Sequence, residues 1–134
     1  MKKYMFFFIT SIVLASTCIA QSYQERFFAL AQPLTKLTAA IEKTLRDKHV
    51  DHNLSDAALV KLATEHNSSL IKPFREFQVK ISREKNCVIL LVCTKDGTGA
   101  LFEDASCTTE MDYNRWMPKQ LFPCTFTLSN DICN

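Results

Sequence analysis

Cys87-Val88-Ile89-Leu90-Leu91-Val92-Cys93 is an apolar run without a single polar interruption. It is too short for a typical helix and rich in β-branched residues, so it reads as a central strand covered on both faces. Upstream, Phe77, Val79 and Ile81 alternate with Gln78, Lys80 and Ser82, the period of a half-buried strand. Arg83-Glu84-Lys85-Asn86 makes a charged turn between the two. Downstream, Lys95-Asp96-Gly97-Thr98-Gly99 holds both glycines of the chain, which suit the positive φ angles of a turn, and Ala100 to Asp104 reads as the returning strand. Because Ala100-Leu101-Phe102 continues as strand and not as helix, the glycine pair is a hairpin turn and not a phosphate cradle.

A loop over residues 95–99 makes opposed residues sum to 194, which places Cys107 across from Cys87. A cross-strand disulfide between them would staple the open end of the hairpin. That scheme leaves Cys93 as a buried free thiol and pairs Cys124 with Cys133; a Cys107–Cys124 bridge is the rival. The disulfide residues expected are therefore Cys87, Cys107, Cys124 and Cys133. After the hairpin, Thr108 or Thr109 can cap a short helix running through Trp116 to Pro118, and Cys124 to Leu128 reads as a last strand.

The N-terminal half has the helical period. Phe27, Leu30, Leu34, Leu37, Ile41 and Leu45 recur at gaps of three and four between Tyr23 and His49, with Pro33 expected to kink the helix or restart it. Ser55 is an N-cap for a second helix, Asp56 suits its first turn, and Leu59, Leu62, Ala63 and His66 mark one face ending near Asn67-Ser68. The expected fold class is α+β. Two N-terminal helices pack on a three- to four-stranded antiparallel sheet, and disulfides stabilise the C-terminal half.

Residues 1–20 have the layout of a secretory signal: Lys2-Lys3, an apolar run from Tyr4 to Leu14, and small residues ending Cys18-Ile19-Ala20. Cleavage after Ala20 would leave residues 21–134 as a single domain, periplasmic or secreted, with no stable membrane anchor. Acylation at Cys18 is the alternative, although Ala15 and Thr17 fit a lipobox poorly. Export places the remaining cysteines in an oxidising compartment, where disulfides are the default. They lack zinc-site spacing and His49, His52 and His66 lie elsewhere, so no metal is expected, and no motif calls for a cofactor.

Over the whole chain 16 basic side chains face 14 acidic ones, and Lys2 and Lys3 leave with the signal. The near-neutral remainder argues against nucleic acid as a partner. Residues 96–134, however, carry only Arg115 and Lys119 against Asp96, Glu103, Asp104, Glu110, Asp112 and Asp131. Glu103 and Asp104 lie on opposite faces of a strand and cannot form a paired acid–base site. A thiol among Val, Ile and Leu is inert, so Cys93 is no nucleophile. No catalytic residue is assigned.

Glu103, Asp104, Glu110, Asp112, Tyr113 and Trp116 are instead expected to bind a protein partner, for which the acidic groups suit a basic surface, because aromatics grip and acidic groups steer. Trp116 could alternatively plug the core. The functional expectation is a small exported non-enzymatic protein that occludes its partner, as toxin-immunity or hydrolase-inhibitor proteins do. A small secreted hydrolase and a subunit of a surface or secretion assembly are the rival classes.

Overall fold

The structure is a computed structural model, and residues 25, 28–47, 50–51, 53–84, 87–107 and 122–133 are described. The chain divides into two compact units, residues 1–30 and 31–134. In the first, only residues 25 and 28–30 are described, all helical, so the expected signal at 1–20 and its cleavage point lie outside the described residues. Everything below concerns the second unit.

Its first helix, α1, covers residues 31–47 and includes Pro33. Leu34, Leu37 and Ile41 are fully buried, as their spacing requires, and Thr38 and Thr44 share the buried stripe. A hydroxyl can enter an apolar face only if its proton is used. Thr38 Oγ1 donates to the Leu34 carbonyl at 3.0 Å and Thr44 Oγ1 to that of Ala40 at 2.9 Å, each one turn back.

Helix α2, Asp56–Ala63, starts where expected: Ser55 Oγ accepts the Ala58 N–H at 3.2 Å and Asp56 sits in the first turn. It buries Leu59 and Val60 and stops at Ala63, short of the Asn67-Ser68 end expected, so His66 lies exposed in a turn. Thr64 explains the early stop. Its hydroxyl bonds the Val60 carbonyl at 2.8 Å and its N–H closes on the same oxygen at 3.0 Å, as the chain leaves helical geometry. A 3-10 turn at Lys72–Phe74 then drives Phe74 into the core.

Four antiparallel strands follow in the order β1-β2-β3-β4: β1 Gln78–Glu84, β2 Cys87–Cys93, β3 Gly99–Ala105 and β4 Phe122–Pro123. The fold class is therefore α+β, with disulfides in the C-terminal half. Every residue of β2 is buried, which is what its composition requires of a strand flanked on both edges and covered on both faces. The hairpin register also follows the expected arithmetic at Ile89↔Ala105, Leu90↔Asp104, Leu91↔Glu103 and Val92↔Phe102. A bulge between Val92 and Cys93 shifts only the turn end, where Cys93 meets Ala100 instead of Leu101.

The turn is built around Asp96. One carboxylate oxygen accepts Thr98 N–H at 3.1 Å, Thr98 Oγ1 at 2.8 Å and the Thr94 hydroxyl. Gly97 follows at φ 72°, a conformation that favours glycine, and a Cβ there would displace the Gln78 side-chain amide from 2.7 Å. Gln78 in turn donates to the Lys95 carbonyl at 3.0 Å, fastening the turn to the start of β1.

The outer edge of β1 is closed by the start of α2. Asp56 accepts the Ile81 N–H on one oxygen and the Arg83 guanidinium on the other, both at 3.0 Å, and Arg83 also donates to the Leu54 carbonyl. A carboxylate thereby occupies an edge position that another strand could otherwise use.

Cys124 to Leu128 is not the strand expected. Only Phe122–Pro123 pairs with β3; Thr125 N–H then turns back on the Pro123 carbonyl at 2.7 Å and the chain crosses the sheet face without a ladder. Phe126, Leu128 and Cys133 pack on Cys87, Ile89 and Ala105, and Phe126 also packs against Leu91, Cys93 and Cys124. This crossing segment supplies the cover that one face of β2 needs.

Candidate functional site

Sequence alternation sends Glu103 and Asp104 to opposite faces of β3, and the structure buries both, at 1 % and 3 % exposure. As placed, neither carboxylate is presented on the surface, which is where docking acids were expected, and β3 lies between β2 and β4.

Glu103 faces the crossing segment. Its Oε1 accepts the N–H groups of Thr127 at 3.0 Å and Leu128 at 2.9 Å, while Oε2 lies 3.3 Å from the Thr127 hydroxyl. A carboxylate with several charge-assisted partners can be buried without leaving its lone pairs empty. It also gives irregular backbone the acceptors that a strand would have supplied. Lys80 Nζ contributes from β1, donating to the Cys124 carbonyl at 3.1 Å.

Asp104 is placed differently. It faces the Thr38 hydroxyl of α1, whose one proton is shared with the Leu34 carbonyl, while Oδ2 is buried with no hydrogen-bond partner among the described residues. Burial pushes the carboxyl above its ordinary value, and the Thr38 hydrogen bond opposes this only in part. Asp96 is the opposite case: the Thr94 hydroxyl and the Thr98 N–H and hydroxyl hold this exposed group at about 2.

The cysteines depart from the expected scheme. Cys93 is no free thiol: it is bonded to Cys124 with a Cα separation of 5.8 Å. The crossing segment makes this possible by carrying Cys124 under β2, a placement that hairpin arithmetic cannot foresee. Cys124 is thus unavailable to Cys133, which instead lies against Cys87 and Cys107.

A geometrically distinct rim lies at the β3–β4 end of the sheet. Phe122 is 56 % exposed and borders a small depression lined by Ala100, Leu101, Phe102, Thr125 and Thr127. The segment 108–121 leaves the described structure at Cys107 and rejoins it at Phe122, next to Cys124. Glu110, Asp112, Tyr113 and Trp116 belong to that segment and, like the expected short helix, lie outside the described residues. On the Phe122 side the chain is tied through Cys124 to Cys93, and on the other side Cys107 lies within disulfide reach of Cys133.

The chain matches no protein-family profile, no curated protein and no solved structure. Among the described residues no helix is long and apolar enough to cross a membrane. Exposed His66 has no catalytic neighbour assigned to it, and His49 and His52 lie outside the described residues.

Sequence reasoning missed the structural use of Glu103 and the pairing of Asp56 with Arg83. The first had a signal. A strand beside a doubly covered strand is itself covered, so acidic residues in Ala100 to Asp104 should be read as buried and partnered.

Proposed function

We propose that the protein is exported, loses residues 1–20, and binds another protein non-enzymatically through Phe122 and residues of the adjoining segment 108–121. The observation that carries the reading is the placement of exposed Phe122 beside an apolar depression, at the point where the acidic, aromatic segment rejoins the sheet. Loops held by a rigid scaffold are where binding residues concentrate. Tyr113 and Trp116 supply anchors of large area and few rotatable bonds. Glu110 and Asp112 select a basic partner surface, and with Glu103 and Asp104 buried they carry the acidic character of this rim.

Disulfide bonds support residence in an oxidising compartment, periplasmic or extracellular. Occlusion of the partner, in the manner of an immunity protein or hydrolase inhibitor, is the mode of action that fits a small exported domain with no catalytic residue assigned.

The test is capture of the partner on residues 21–134, followed by kinetics with the Glu110→Lys/Asp112→Lys variant. Exposed charges steer encounter, so the variant should associate more slowly and lose salt dependence with little change in dissociation. An unchanged association rate at low salt would reject the acidic rim.

A further inference from the structure

The sulfur atoms of Cys87, Cys107 and Cys133 all lie within 4.8 Å of one another. The Cα of Cys133 is 5.8 Å from that of Cys87 and 5.5 Å from that of Cys107, and both separations suit a disulfide. A sulfur carries one disulfide at a time, so Cys133 has two alternative partners. With Cys93 and Cys124 bonded to each other, the trio keeps one thiol as long as its internal disulfide is the only bond its sulfurs make.

We propose that this trio is a thiol–disulfide exchange site, in which Cys133 passes between Cys87 and Cys107 and the released Cys107 thiol takes up an external disulfide. The fold sets up the geometry from two directions. Ser106 N–H bonds the Val88 carbonyl at 2.9 Å and Val88 N–H bonds Ser106 Oγ at 3.2 Å, extending the β2–β3 pairing to the point where Cys87 and Cys107 face each other. The 3-10 turn Asn130–Cys133 brings Cys133 to both.

The step needs no oxidant. The Cys87 thiolate attacks Cys133 Sγ, a Cys87–Cys133 bond forms as the Cys107–Cys133 bond breaks, and Cys107 leaves as a thiolate that takes the proton Cys87 lost. One disulfide and one thiol are present before and after. In both arrangements the crossing segment remains covalently tied to the sheet.

What changes is where the thiol lies. Cys87 is 2 % exposed within an apolar cluster, whereas Cys107 is on the surface. Burial keeps external disulfides away from Cys87 while leaving its sulfur within 4.8 Å of Cys133 Sγ, so exchange turns a shielded thiol into an accessible one. The Cys107 thiolate can then attack an external disulfide, forming a mixed disulfide and releasing the other half as a thiolate that is protonated by solvent. Cys87 and Cys133 are by then bonded to each other. The trio therefore holds no thiol to reverse the adduct, which persists until an external thiol arrives. Cys107 also begins the segment 108–121, so the same exchange ties or releases one end of the proposed binding loop.

The experiment is peptide mapping of the native, unreduced protein after acid quench and differential alkylation, with parallel exposure to oxidised glutathione and to oxidised thioredoxin. Both Cys87–Cys133 and Cys107–Cys133 peptides should be recovered, with the thiol divided between Cys107 and Cys87 and absent from Cys133. One adduct per chain should form at Cys107. An adduct from glutathione alone identifies a small disulfide as the reactant, and one from thioredoxin alone a protein disulfide. Cys107→Ser should abolish the adduct, and Cys87→Ser should abolish it as well by locking Cys107 to Cys133. A single linkage with one fixed thiol, three thiols holding a bound metal ion, or no adduct from either reagent would each overturn the proposal.

Discussion

The Glu103 carboxylate, buried in β3, accepts the backbone N–H of Leu128 at 2.9 Å and so binds an irregular segment to the face of a sheet. The same oxygen holds Thr127 N–H. Glutamine at this position keeps one carbonyl oxygen for the two N–H donors and turns an NH2 toward the Thr127 hydroxyl, but it removes the charge that strengthens these bonds. Glu103→Gln should therefore cost about 2 kcal/mol or more, the range for losing hydrogen bonds to a buried charged group. Chemical denaturation would show this as a lower midpoint at unchanged slope. Hydrogen exchange should show faster opening at Thr127 and Leu128 than in the strands.

Asp104 carries the opposite expectation. Its folded carboxyl sits above the ordinary value of 3.8 because burial disfavours its charged form. The folded state then binds the proton more tightly than the unfolded one, so this contribution is fully present below about pH 4 and is lost as pH rises through the folded value. Asp104→Asn removes the ionising group and its unpartnered oxygen charge. The decline in melting temperature above pH 4 should flatten in this variant.

At the hairpin turn the sign is reversed. Hydrogen bonds hold Asp96 at about 2, against 3.8 for the free group, so its contribution is present above pH 4 and is lost as pH falls through 2. Asp96→Asn should flatten the stability profile between those limits. Gly97→Ala should cost on the order of 1 kcal/mol, since φ 72° is unfavourable for a side chain and the new Cβ meets Gln78. Thermal melts of each variant across pH 2–7 check both.

Much of this architecture is legible in the sequence where contacts are local. Ser55 caps its helix, Leu34, Leu37 and Ile41 form their stripe, and the short loop at 95–99 carries the register as far as Ala105. Long-range placement was not legible. Cys124 finds Cys93 only because Pro123 is followed by a turn and not by more strand, and no residue near Cys124 announces that crossing. The charges of Glu103 and Asp104 read as surface because a pattern records polarity and not the partners that make burial tolerable.

The Cys93–Cys124 bridge joins β2 to the start of the crossing segment. The double variant Cys93→Ser/Cys124→Ser should lose about 2–5 kcal/mol, as small secreted domains do on losing a native disulfide. Because Phe126 packs at the same place, the loss should be accompanied by raised fluorescence of a hydrophobic dye. An unchanged denaturation midpoint would show that the crossing segment is held by other contacts.

Affinity of the captured partner for Phe122→Ala and Trp116→Ala, measured by calorimetry beside thermal melts of each variant, tests the binding claim most directly. Phe122 is exposed, so its truncation should leave the melting temperature unchanged while binding weakens by about 2 kcal/mol or more, the loss expected at an interface anchor. Trp116→Ala should behave in the same way if it grips the partner. Unchanged affinity for both variants in folded protein would contradict the account, and a Trp116→Ala variant that loses stability while keeping its affinity would return that residue to the core.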